Sequence, residues 1–90
     1  MKLTASKEGW KLSGAYSLDS LLKIKSELPH YGVAGNVVID VSKLDEINAP
    51  VLSLLLEIRR HSDAVLLTGG YDGFYEMLKL YGLESIFDIA

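Results

Sequence analysis

Two histidines, a few carboxylates and one glycine-rich turn are where chemistry could reside in this 90-residue sequence. His30 and His61 each fall on a loop or a helix end, and neither is expected to share a helix face with a carboxylate at metal-ligand spacing. Both read as surface histidines. Asp40 lies inside an apolar run, and Asp45-Glu46 precede a helix start. Paired carboxylates can exchange protons with a substrate only with a partner and a cleft. Here they read as helix-start or solvated charges. Gly69-Gly70-Tyr71-Asp72-Gly73 sits between a strand and a helix, where backbone N–H groups can hold a phosphate. No lysine follows as in a phosphate-binding loop, and Asp72 puts a negative charge where the anion would sit, so a tight turn is the favoured reading. Tyr71, Tyr75 and Tyr81 lack the basic surroundings of a base-stacking platform and read as cover for the rim of a core. Cysteine is absent, which excludes disulfides, thiolate nucleophiles and cysteine-bound zinc. The expectation is a chain without catalytic residues, metal or cofactor.

Composition narrows the class further. Ninety residues make one small domain, expected to span 1–90, that hides about 60–65% of its unfolded surface. Hydrophobic residues make up 49% and charged residues 23%, enough for an unaided core. Nine basic and twelve acidic side chains give a net charge of -3, which speaks against nucleic acid as the main partner. The longest apolar run, Ala64 to Leu67, has four residues, whereas a spanning helix needs roughly 20. The first ten residues alternate without a signal-like stretch. A cytoplasmic protein that does not itself insert in a membrane is expected.

The elements follow from period and punctuation. Met1 to Ala5 and Trp10 to Leu12 alternate as strands around a turn at Ser6-Lys7-Glu8-Gly9, and Gly14 ends the second. Ser17 can cap a helix carrying Leu18, Leu21, Leu22 and Leu28, which Pro29 is expected to stop before a loop over His30 to Asn36. Val37-Val38-Ile39-Asp40-Val41 is too continuous for a half-wet strand and predicts a central strand covered on both sides. Asn48-Ala49-Pro50 opens a second helix running to about His61, with Ala49 as the formal cap and Asn48 assisting. Ala64 to Thr68 is a further buried strand. Asp72 is expected to cap a third helix with the stripe Phe74, Met77, Leu78 and Tyr81. Gly82 and Leu83 read as a glycine C-cap with its apolar contact, and Ile86, Phe87 and Ile89 as a short edge strand. The fold class is therefore α/β: a small mixed sheet, an antiparallel N-terminal hairpin followed by parallel strand–helix units, with about three helices.

The second helix carries more apolar surface than one sheet face can cover. Leu54, Ile58, Val51, Leu55, Leu52 and Leu56 sweep about 200° of its circumference, where roughly 100° suffices. Ser53, Glu57, Arg60 and His61 occupy the remainder, and Arg59 interrupts the arc beside Leu52 and Leu56. The Leu52-Leu56-Arg59 edge either packs on a sibling helix or serves as a landing place for another protein.

The order of elements and several motifs resemble the STAS domain of sulphate transporters and anti-sigma factor antagonists. The stretches that carry the likeness are Trp10 to Gly14, Val38-Ile39-Asp40-Val41-Ser42-Lys43-Leu44 and Ile47-Asn48-Ala49-Pro50. Leu67 to Tyr75 and Leu78 to Leu83 are similar to the STAS subunits of bacterial Mla lipid-asymmetry ABC transporters, so the likeness covers roughly residues 10 to 85. It implies a non-catalytic cytoplasmic subunit that docks on the transporter ATPase at the inner membrane face. Carried over by position, the partner surface would fall on Asn48, Ala49, Pro50, Leu52, Ser53 and Leu56, near Arg59 of the apolar edge, with Asp72, Tyr75, Lys79 and Tyr81 as further candidates. The alternatives are an anti-sigma factor antagonist that meets a serine kinase, or a module binding a nucleotide or lipid near Gly69 to Gly73. At the helix entry the family usually has aspartate, serine or threonine, a small residue and glycine; here Asn48, Ala49, Pro50 and Val51 stand there. Without a hydroxyl at residues 48 to 50, the phosphate switch of sigma-regulating members is unavailable at those positions, and constitutive docking is expected.

Overall fold

The computed structural model describes residues 1–90 and orders them as β1 (Lys2–Ser6), β2 (Gly9–Gly14), α1 (Leu18–Tyr31), β3 (Asn36–Leu44), α2 (Ala49–Arg60), β4 (Ala64–Thr68), α3 (Asp72–Leu80) and β5 (Asp88–Ile89). Five strands form one mixed sheet in the order β1-β2-β3-β4-β5. The β1–β2 hairpin is antiparallel, with Leu3 opposite Leu12, and every later pair is parallel. No helix is long and apolar enough to cross a membrane.

Strand order decides where the helices lie. Each parallel crossover is right-handed by the chirality of twisted strands. Because strands are added in one direction without reversal, successive crossovers stack α1, α2 and α3 on the same face. This overturns the expectation that β3 is covered on both sides. Val37, Ile39 and Val41 are buried beneath the helices, whereas Val38 and Asp40 are only half-buried on the opposite face. The neighbours of those two across the ladder are Leu66 and Thr68. A monotonic order also has no point at which the strand sequence reverses, the feature that opens a ligand crevice in doubly wound sheets.

One cluster of 20 apolar residues forms the core, and no polar or charged residue is buried with it. α1 begins where Ser17 Oγ accepts from the Ser20 N–H at 3.2 Å. Leu21, Ile24 and Leu28 face the core, while Leu18 and Leu22 sit on the flank of that stripe and stay more than half exposed. Pro29 does not end the helix. It lies in the last turn, and the chain continues to Tyr31 before Gly32 caps it with φ 71°. Its missing N–H forfeits one bond of the ladder, yet the helical backbone persists for two further residues. Tyr31 is also held by an edge-on contact with Trp10, ring centroids 5.6 Å apart.

The end of α3 follows expectation. Gly82, at φ 70°, adopts the left-handed conformation. Its N–H donates to Lys79 O at 3.0 Å, and the Leu83 N–H donates to Leu78 O at 2.8 Å, the paired bonds of a Schellman cap. At the other end Tyr71, not Asp72, is the N-cap residue and gives no side-chain bond. Asp72 is already the first helical residue, where its charge complements the helix dipole. β5 is shorter than expected, with Asp88 and Ile89 pairing Leu66 and Leu67 while Phe87 anchors the tail in the core.

Candidate docking surface on the second helix

Asn48 sets the start of α2. Its backbone is extended at φ -138° and ψ 176°, and its Oδ1 accepts from the Val51 N–H at 3.0 Å. The expectation that Ala49 is the cap is thereby corrected: Ala49 and Pro50 open the first turn, and the amide side chain does what an alanine methyl cannot. Asn48→Ala is expected to cost about 1 kcal/mol. Thermal unfolding followed by circular dichroism should show a fall of about 4–8 °C, and Asn48→Asp, which keeps the acceptor, should not.

The apolar arc of α2 divides into a sealed part and an open edge. Val51, Leu54, Leu55 and Ile58 are at most 1% exposed, and Leu52, expected on the edge, is 3% exposed. Leu56 and Arg59 are half-buried. α1 covers one flank, where Lys25 Nζ donates to Ser53 Oγ at 3.0 Å. On the other flank α3 keeps more than 8 Å, Cα to Cα, from α2. That gap is a cleft of about 250 Å³ lined by Ala49, Leu52, Ser53, Leu56, Tyr81 and Leu83. The left-handed turn at Gly82 brings the chain back beside α2, so the cap of α3 builds one wall of the cleft. Leu56 and Ser53 also border a second depression, of about 570 Å³, together with Lys25, Arg59, Arg60 and Ile86.

Of the residues expected at a partner surface, the structure gathers Ala49, Leu52, Ser53, Leu56 and Tyr81 around the cleft, with Arg59 beside it. Asn48 and Pro50 are half-buried at the helix start. Tyr75 and Lys79 lie apart: they line a separate hollow with Leu78, Glu84 and Ile89, and the Tyr75 hydroxyl donates to Ala90 O at 3.4 Å. Asp72 is exposed and borders neither α2 depression. Lys25, Leu83 and Ile86 escaped sequence reasoning. Only Leu83 carried a signal, since a glycine cap with an apolar follower folds that side chain back on its helix.

The groups suggestive of chemistry are dispersed. His61 does share a helix face with a carboxylate, contrary to expectation: its Nε2 is 3.6 Å from Glu57 Oε1, four residues earlier. No third acidic, histidine or cysteine side chain joins that pair to make a metal site. The glycine turn is filled by packing. A Cβ on Gly70 would stand 2.5 Å from the Phe74 ring, and one on Gly73 would stand 2.8 Å from the Tyr71 ring.

Asp40 is opposite Lys11 on the bare face of the sheet. Hydrogen bonding from Ser42, whose backbone N–H is 2.8 Å from Oδ1, holds the Asp40 carboxyl below its ordinary 3.8; burial opposes this, and the positive charges of Lys11 and Lys43 add smaller lowering effects. A depressed carboxylate pKa contributes stability that is complete above its unfolded value and lost as pH falls through the folded one. Thermal midpoints measured from neutral pH downward should therefore fall below pH 3.8, and Asp40→Asn should flatten that limb.

The chain was also compared with known proteins. It matches no protein-family model and no curated protein.

Proposed function

We propose that this chain is a non-catalytic, STAS-like protein-interaction subunit that docks through α2 on the ATPase of a lipid-transport ABC transporter and supports its assembly or activity at the cytoplasmic membrane face. The observation that carries the docking reading is Leu56, a large apolar side chain only half-buried between two depressions. Around it lie Tyr81 and Ile86, both exposed by more than a third. Tyrosine and arginine are enriched in interface hot spots, and Tyr81 and Arg59 line the depressions on either side of Leu56. The choice of partner rests on the likeness of Leu67 to Leu83 to Mla-type STAS subunits. Asn48 supports constitutive docking: it stands at the helix entry as a structural cap, and no hydroxyl is present there to accept phosphate.

The test is reconstitution. The tagged chain co-expressed with the ATPase subunit of a lipid-transport ABC complex should elute with it in size-exclusion chromatography and change its ATP turnover. Failure to form that complex, with capture of a serine kinase and incorporation of phosphate instead, would favour the signalling alternative. A clear rise in thermal midpoint with one nucleotide or lipid class would favour the ligand-binding alternative.

A further inference from the structure

Positive charge on the outer side of α2 is only partly compensated, within a chain that is acidic overall. Twelve acidic side chains outnumber nine basic ones, yet Lys25, Arg59 and Arg60 meet around the larger depression with a single carboxylate, Glu57. Glu57 is already engaged, 3.3 Å from Arg60 Nη1 and 3.6 Å from His61 Nε2. Lys25 bonds only the neutral hydroxyl of Ser53. Arg59 donates through Nη1 to Ser62 O at 2.8 Å, but its buried Nε–H finds no acceptor anywhere in the chain. That Nε–H is enclosed, whereas Arg59 Nη2 has neither a partner nor cover, so Nη2 is the donor an arriving acceptor would meet.

We infer that this depression receives an acidic side chain flanked by a large apolar residue, both from one segment of a partner polypeptide. The carboxylate meets Arg59 and Lys25, and the apolar neighbour meets Leu56 and Ile86. Arg59 Nη2 and the Lys25 ammonium offer a carboxylate charge-assisted bonds, stronger than neutral ones. The apolar border favours a peptide over a small anion, which gains nothing from Leu56 or Ile86. The inference deepens the docking reading and rests on it only in taking α2 as the surface; it adds the chemistry of the segment that arrives.

The probe is a phage-displayed library of random peptides, about a dozen residues long, panned against the full chain. Enriched sequences should place Asp or Glu within a position or two of Leu, Ile or Phe. Synthetic peptides from those clones should bind Arg59→Gln and Lys25→Gln about ten-fold or more weakly, and should lose several-fold in affinity between about 50 and about 500 mM salt. Arg59→Glu should regain binding to a peptide whose acidic residue is replaced by lysine. Lys25→Gln, which gives up one hydrogen bond to Ser53, keeps the test valid if the Arg59 variants unfold. Enrichment of basic or uncharged motifs would overturn the inference. So would acidic peptides indifferent to both substitutions, or equal competition by inorganic phosphate or phosphatidylglycerol vesicles. The two readings fail separately. An ATPase complex insensitive to Lys25→Gln and Arg59→Gln sinks this inference and leaves docking intact; acidic peptides bound as described by a chain that holds no ATPase do the reverse.

Discussion

Leu56→Asp is expected to weaken binding to the ATPase by about 30-fold or more, the loss that truncating a central hot-spot residue produces, while the fold persists. Leu56 is only half-buried, so an aspartate there keeps part of its hydration. Leu52→Asp, one turn earlier on the same edge, should behave differently. Leu52 is 3% exposed and belongs to the core cluster, so the substitution removes packed apolar volume and buries a carboxylate without a partner. A cost of about 4 kcal/mol or more follows, against a total of roughly 5–13 kcal/mol for a chain of this length. Titration calorimetry for Leu56→Asp and urea unfolding for Leu52→Asp separate the two effects. Wild-type affinity in a folded Leu56→Asp chain would remove the docking surface from α2. Loss of binding by Leu52→Asp would carry no such message, because it reports on folding.

Phe74→Ala should cost about 3–5 kcal/mol and lower the thermal midpoint by roughly 15–30 °C. Phe74 is fully buried near the start of α3, with its ring against the backbone of Gly70. The glycine turn and this ring form one packing unit that ties the end of β4 to α3. Gly70→Ala should therefore also destabilise the fold, since its methyl would stand 2.5 Å from Phe74 Cδ2. Equilibrium urea denaturation of both variants provides the check. A stable Gly70→Ala chain with a normal midpoint would mean that the turn is not constrained by packing.

Periodicity and short-range chemistry made much of the architecture readable in advance. The hairpin, three helices, buried strands and glycine cap of α3 depend on alternation, 3.6-residue spacing, Ser17 and Gly82, all local in the chain. Reading failed wherever the deciding contact was distant in sequence. The helix runs past Pro29 to Tyr31, whose ring meets Trp10, 21 positions away. The bare face beneath β3 follows from the order in which strands join the sheet, a property no single strand carries. The apolar excess of α2 was visible in its own residues, but its division was not. Leu52 is sealed and Leu56 only half-buried, with Lys25 of α1 lining the depression on one side of Leu56 and Tyr81 and Leu83 after α3 lining the cleft on the other. Hydrophobic pattern within a helix measures how much surface needs cover; only the packing of segments remote in sequence settles which side chains receive it.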